Sequence, residues 1–169
     1  MATRERRIAD LKSMQELKAG STRFDFEVSE GGIEPTKYLI SFRCNSYFID
    51  RVQRRPVLTG PDYCHKVEIF LDNDYPINPP RITWETEIFH PNIYKGYACI
   101  LGGPWDATRS LGDVCRQLFE MAQFKNLDPR HVLEGNDVAA EWARNQPAGA
   151  FPADPTPLID RGGATDANV

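Results

Sequence analysis

The segment from Glu85 to Arg109 has neither the three-to-four spacing of a helix nor the alternation of a strand, yet it carries Ile88, Phe89, Ile93, Tyr94, Tyr97, Ile100 and Trp105. A connection that long inside a compact domain is either functional or unstructured. Its apolar content argues against the second, because a solvated segment could not hide that much hydrophobic surface. The loop is therefore expected to pack down on a core, with Cys99 held on it.

What flanks the loop suggests the core. Ile8, Leu11, Met14 and Leu17 recur at helical spacing on a charged segment that stops at Gly20, which predicts an amphipathic first helix. Three strand-like runs follow, from Phe24, from Lys37 and from His65, and Arg81 to Trp84 makes a fourth. Strands in this order suggest an antiparallel meander. The stretch between Cys44 and Cys64, with Arg51, Arg54 and Arg55, reads as an extended loop and a contact surface.

After the long loop, Ser110 and Asp113 have the spacing of a capping box, and Leu111, Val114, Leu118, Phe119 and Ala122 trace one apolar face. Cys115 lies beside Val114 and reads as a small buried hydrophobe. A third helix is predicted from Asn136 as N-cap through Ala143, ended by Pro147. The residues from 148 to 169, rich in Pro, Gly and Asp, read as a largely disordered tail behind a domain of residues 1–147.

The whole chain is 169 residues with a net charge of −4 and no block of like charge, so nucleic acid is not an expected partner. No run approaches the roughly 20 apolar residues that span a bilayer, and the start lacks a signal-peptide pattern, so no membrane partner and a cytoplasmic location are expected. The four cysteines form no C-x-x-C pair, and no cluster has zinc spacing. Any cysteine function is expected to be that of a thiol.

In order along the chain stand Tyr75-Pro76-Ile77-Asn78-Pro79-Pro80, His90-Pro91-Asn92-Ile93, Ala98-Cys99-Ile100, Trp105, Ser110-Leu111, Leu127-Asp128-Pro129 and the stretch Asn136 to Pro147. Each piece is weak alone. As an ordered set they resemble the ubiquitin-conjugating enzyme family, from about Val67 to Pro147. The resemblance implies an α+β, UBC-like fold: an N-terminal helix, a four-stranded antiparallel meander, a long active-site loop and then two helices, with the family's usual last helix missing.

The resemblance also implies roles. Cys99 would take the C-terminus of a ubiquitin-like modifier as a thioester from an activating enzyme and pass it to a lysine of a protein substrate. A thiol suits this because its thiolate attacks at each exchange and its thioester still reacts with amines. Asn92 matches the Asn credited with stabilising the oxyanion or ordering the active-site loop. Asp128 matches the acid that orients the incoming lysine and helps deprotonate it. His90, Pro91 and Trp105 match structural positions of the loop. Arg4, Arg6, Arg7 and Lys12 match the basic helix surface that docks on activating enzymes. Ile77, Asp106 and Ala107 fall where the family meets a ligase or other accessory subunit. No cofactor is implied, since ATP is used by the activating enzyme.

The sequence also departs from the pattern. The intervals from Asn92 to Cys99 and from Cys99 to Trp105 are shorter than in the family, and Ala107-Thr108 stands where the family has Pro-Ala, which argues against a conventional RING-type grip. Such trimming resembles prokaryotic ubiquitin-like systems. Two other readings stay open: a non-catalytic UBC-like variant that only binds a modifier or partner, and a cysteine hydrolase with His90 as base and Asp128 or His131 beside it.

Overall fold

The computed structural model describes residues 4–99, 104–127 and 135–162. Helix α1 (Arg4–Gly20) leads into strands β1 (Phe24–Glu30) and β2 (Lys37–Arg43). A hairpin of β3 (Tyr47–Asp50) and β4 (Arg55–Leu58) precedes β5 (Cys64–Phe70) and β6 (Arg81–Trp84). Two short strands, β7 (Ile93–Tyr94) and β8 (Tyr97–Ala98), then α2 (Leu111–Ala122) and α3 (Asp137–Arg144) complete the order.

Strands β1, β2, β5 and β6 form the expected antiparallel meander, extended by β8 and β7 into a six-stranded sheet. Register follows the period-2 pattern: Tyr38 faces Ile69, Ile40 faces Val67, and Ile69 and Val67 face Ile82 and Trp84. All six are buried on one side of the sheet. Helix α2 covers that side with Leu111, Val114, Leu118, Phe119 and Ala122. Each large apolar side chain so buried contributes about 1.5–3 kcal/mol over leaving it in water. The Ser110 hydroxyl accepts from the Asp113 amide at 3.1 Å and caps the helix.

Five features differ from the sequence expectation. In α1, Ile8 is 45% exposed and Asp10 takes the inward position instead. The Asp10 carboxylate accepts from Arg6 Nε at 2.9 Å, from the Tyr75 hydroxyl at 2.7 Å and from the Leu111 amide at 2.9 Å. Apolar periodicity does not register a buried acid whose partners lie 65 and 101 residues away.

The Cys44–Cys64 interval is a β-hairpin rather than a bare loop, with Pro56 opposite Ile49. Proline is tolerated there because the pair is a two-stranded ribbon whose strands are both edges. The long loop likewise contains a hairpin, β7–β8, turned by Lys95 and Gly96, whose φ of 49° and 84° suit a two-residue primed turn.

The tail expected to be largely disordered is packed over residues 148–162. Phe151 stacks on Phe124 with ring centroids 4.6 Å apart, and Leu158 joins the core. The Ala153 amide donates to the Gln123 carbonyl at 2.8 Å, and the Asp154 carboxylate accepts from the Asn45 amide at 3.0 Å. Composition suggested a solvated segment, but a few anchoring side chains suffice when complementary surface waits for them. Among the described residues no helix follows α3, and none is long and apolar enough to cross a membrane.

Arg6 was expected on the solvated face, and it is turned inward. Besides Asp10 its guanidinium donates to the Tyr75 hydroxyl at 2.9 Å and to the carbonyls of Ala107 and Arg109. Arg6→Ala should therefore lower the free energy of unfolding by about 2–3 kcal/mol, through loss of a charge-assisted network around a buried carboxylate. Lys12→Ala, on an exposed residue whose ion pair with Glu16 spans 3.9 Å, should stay within about 0.5 kcal/mol. Urea titration of both variants checks the contrast.

Candidate active site

The residues around Cys99 are built from the loop outward. In His90-Pro91-Asn92, the His90 ring turns back and its Nδ1 accepts from the Asn92 amide at 3.0 Å, closing a tight turn. The carbonyl of Asn92 accepts from the Cys99 amide at 3.0 Å, so the β7–β8 hairpin returns the chain to where it left. Cys99 thus stands at the end of a closed loop, with its thiol half-buried.

Asn136 fixes that loop from the other side. Its side-chain Nδ2 donates to the carbonyls of His90 at 2.8 Å, Pro91 at 2.7 Å and Ile93 at 3.3 Å. It stands at the N-cap position of α3 but makes no side-chain cap bond there. An Asn ahead of an apolar helix reads as a cap; here its amide is spent on the His90–Ile93 segment of the Cys99 loop instead.

His90 is 1% exposed, and its ring packs on Phe124 with centroids 4.3 Å apart. Burial holds its pKa down to about 3, so the ring is neutral. Phe124 belongs to an aromatic cluster with Tyr47 of β3, Trp142 of α3 and Phe151 of the C-terminal strap. Asn92 is fully buried. Cys99 has its thiol pKa raised by burial, so at neutral pH it is a protonated thiol rather than a primed thiolate.

Asp128 and His131 lie outside the described residues. Trp105 is placed through its indole, which donates to the Pro76 carbonyl at 2.7 Å. That bond brings the loop before α2 against the Tyr75–Pro80 turn. Ile77, 70% exposed, therefore shares a surface region with Asp106 and Ala107. The Asp106 carboxylate is held by the Thr108 amide and hydroxyl, which lower its pKa, while the Ala107 carbonyl is taken by Arg6. On α1, Arg4 is exposed and pairs with Glu34 at 2.9 Å, Lys12 is exposed, and Arg7 is only half-exposed.

A helix lies on a meander sheet, followed by a loop whose cysteine, Cys99, has its backbone amide held by the Asn92 carbonyl. A sequence model described as ubiquitin-conjugating enzyme matches residues 61–150. The chain is 32% identical over 84 residues to ubiquitin-conjugating enzyme E2 N of Macaca fascicularis, a match covering 48% of this chain and 53% of that protein. It is 33% identical over 84 residues to ubiquitin-conjugating enzyme E2 13 of Schizosaccharomyces pombe, covering 48% of this chain and 55% of that one. The chain thus spans about half the length of the curated relatives it matches. The solved structure of human ubiquitin-conjugating enzyme E2 G1 shares the fold with a TM-score of 0.51 at 19% identity, covering 71% of this chain and 96% of that one. The chain belongs to the ubiquitin-conjugating enzyme family.

Two outcomes follow from this geometry. Asn136→Ala removes three hydrogen bonds to the loop, each worth about 1 kcal/mol; amide exchange at Asn92 and Cys99 should accelerate at least tenfold while β2 and β5 amides change little. The second concerns pH. His90 and His65, the latter fully buried with its pKa pushed down to about 4, stay neutral in the fold. Once unfolded they titrate near 6.5, so as pH falls below that value the unfolded chain binds the extra protons and stability drops. Urea titrations should give a protein about 3–4 kcal/mol less stable at pH 5 than at pH 7, at roughly 1.4 kcal/mol per pH unit for each histidine.

Proposed function

We propose that this chain is a ubiquitin-conjugating enzyme that accepts a ubiquitin-like protein as a thioester on Cys99 and transfers it to a lysine of a target. The observation that carries this reading is the pinned loop: Cys99 is held through its amide by Asn92, and the turn that contains Asn92 is clamped by Asn136.

The chemistry runs in two exchanges. The Cys99 thiolate attacks the carbonyl carbon of the modifier's C-terminal thioester on the activating enzyme; a new C–S bond forms, the old one breaks, and the activating enzyme's thiolate leaves and takes a proton. In the second exchange a neutral lysine amine attacks the same carbon, an amide bond forms, and Cys99 leaves as thiolate. The proton lost by the amine goes to a base, the role assigned to Asp128. No cofactor is needed, because ATP is spent by the activating enzyme.

A burial-raised thiol suits a carrier, since a thiol of higher pKa is the slower leaving group and its thioester waits longer for the amine. The complete burial of Asn92 favours its loop-ordering role over direct contact with the oxyanion. The sealed, neutral His90 ring argues against the hydrolase reading, because a base that activates water must reach it. Retention of Cys99 together with Asn92 argues against a non-catalytic variant. The partners are the modifier, the activating enzyme, the target, and a ligase or accessory subunit; Ile77, Asp106 and Ala107 form the candidate surface for the last. Of the basic helix residues, Arg4 and Lys12 remain the candidates to meet the activating enzyme, and Arg6 is committed internally. The shortened active-site loop supports a prokaryotic ubiquitin-like system, and the proposal sets it in the cytoplasm.

Incubation with an activating enzyme, its modifier and ATP should give an adduct on the wild-type chain that thiol reductant removes. Cys99→Ser should give a reductant-stable oxyester or none, while Cys64→Ala, on an exposed thiol, retains the labile adduct. A labile adduct that survives Cys99→Ser excludes the assignment. On the protein alone, iodoacetamide should alkylate Cys99 slowly at neutral pH, with a rate still climbing beyond the pH at which a free cysteine levels off.

A further inference from the structure

A cavity of about 360 Å³ opens where the end of α1, the starts of β1 and β5, the end of β2 and the C-terminal strap converge. Its lining includes Lys18, Arg23, Arg43 and Arg161, against one carboxylate, Asp25, which is itself paired with Lys18. This concentration of cations sits in a chain whose net charge is −4.

Backbone carbonyls position two of the arginines, and the Asp154 and Asp160 carboxylates lie within electrostatic reach of Arg23. Arg23 Nη1 donates to the carbonyls of Arg43 at 2.9 Å and Pro61 at 3.2 Å, and Arg43 Nη2 donates to the Thr22 carbonyl at 2.9 Å. These carbonyls carry no full charge, and each guanidinium has five N–H groups, so donors remain for a ligand at the cavity both arginines line. Arg161 is brought in by the strap, whose Asp160 and Arg161 amides both donate to the Gly20 carbonyl, at 3.2 and 3.1 Å. The nearby Asp160 carboxylate is turned to the Thr22 amide and hydroxyl. Like charges gathered in a cleft repel one another and focus a positive potential into it.

We propose that this cavity binds a small, multiply charged phosphate-class anion, gripped by Arg23, Arg43 and Arg161 and fastening the strap to the end of α1. Guanidinium forks match phosphate oxygens in pairs, and the volume falls in the range of small-ligand sites. The anion can be inorganic or the diphosphate of a nucleotide. The site lies apart from the Cys99 loop and stands or falls independently of the transfer activity.

Cys64 lines the cavity with an exposed thiol and provides a reporter. In the intact chain, inorganic pyrophosphate should slow alkylation of Cys64 by iodoacetamide at least fivefold with a saturating dose dependence, leave Cys99 unchanged, and do so beyond any effect of sodium chloride at equal ionic strength. Arg161→Ala and Arg43→Ala should each weaken the protection several-fold, whereas Arg54→Ala in the β3–β4 turn should not. If ADP saturates at lower concentration than pyrophosphate, the ligand is a nucleotide; if not, it is the inorganic anion. Protection matched by sodium chloride, or undiminished in Arg161→Ala, overturns the proposal. Arg161→Ala removes only a strap side chain, so it decides the matter even if Arg43→Ala fails to fold.

Discussion

One buried carboxylate holds the architecture together. Asp10 accepts from Arg6 on its own helix, from Tyr75 at the head of the proline-rich turn, and from the first amide of α2. Burying an acid is costly unless its charge is met, and here a guanidinium, a phenol and a helix N-terminus meet it at once. Through Arg6 the same node reaches the Ala107 and Arg109 carbonyls, so the segment leading into α2 is fixed as well. Remove the carboxylate and α1, the turn and α2 lose their shared reference point.

The reactive loop depends on a second, mostly apolar node. The His90 ring packs against Phe124, and Phe124 is surrounded by Tyr47, Trp142 and Phe151, contributed by the hairpin, by α3 and by the strap. Aromatic edges and faces in contact add about 0.5–1.5 kcal/mol per pair beyond area burial, and they also exclude water from the loop backbone. In that dry setting His90 Nδ1 serves the Asn92 amide, and Asn136 serves three carbonyls. The Cys99 backbone is thus tied to a loop that His90 and Asn136 fix by hydrogen bonds. That arrangement suits the thioester carrier proposed above, whose backbone beneath the sulfur would have to stay still.

Much of this was legible before any coordinates. The alternation in β2, β5 and β6, the capped apolar face of α2 and the order of motifs from Tyr75 to Pro147 each rest on local chemistry that survives folding unchanged. Helical periodicity points Ile8 inward because it weighs apolarity and does not register an acid whose partners are distant in sequence, and the family's basic surface points Arg6 outward for the same lack of long-range information. Asn136 was read as a cap because that is what an Asn before a helix does in the absence of a competing set of acceptors.

The sequence by itself determined the strands β1, β2, β5 and β6 and the three helices, and that a cysteine rides on a packed, aperiodic loop, because hydrophobic period and capping chemistry act within a few residues. Only the tertiary structure decided that Asp10 lies inside, that Asn136 clamps His90-Pro91-Asn92, that the hairpin and strap close over the loop, and that Arg161 joins Arg23 and Arg43 around one cavity. Those outcomes follow from contacts between segments tens of residues apart. A polar side chain takes whichever partner the fold brings within hydrogen-bonding distance.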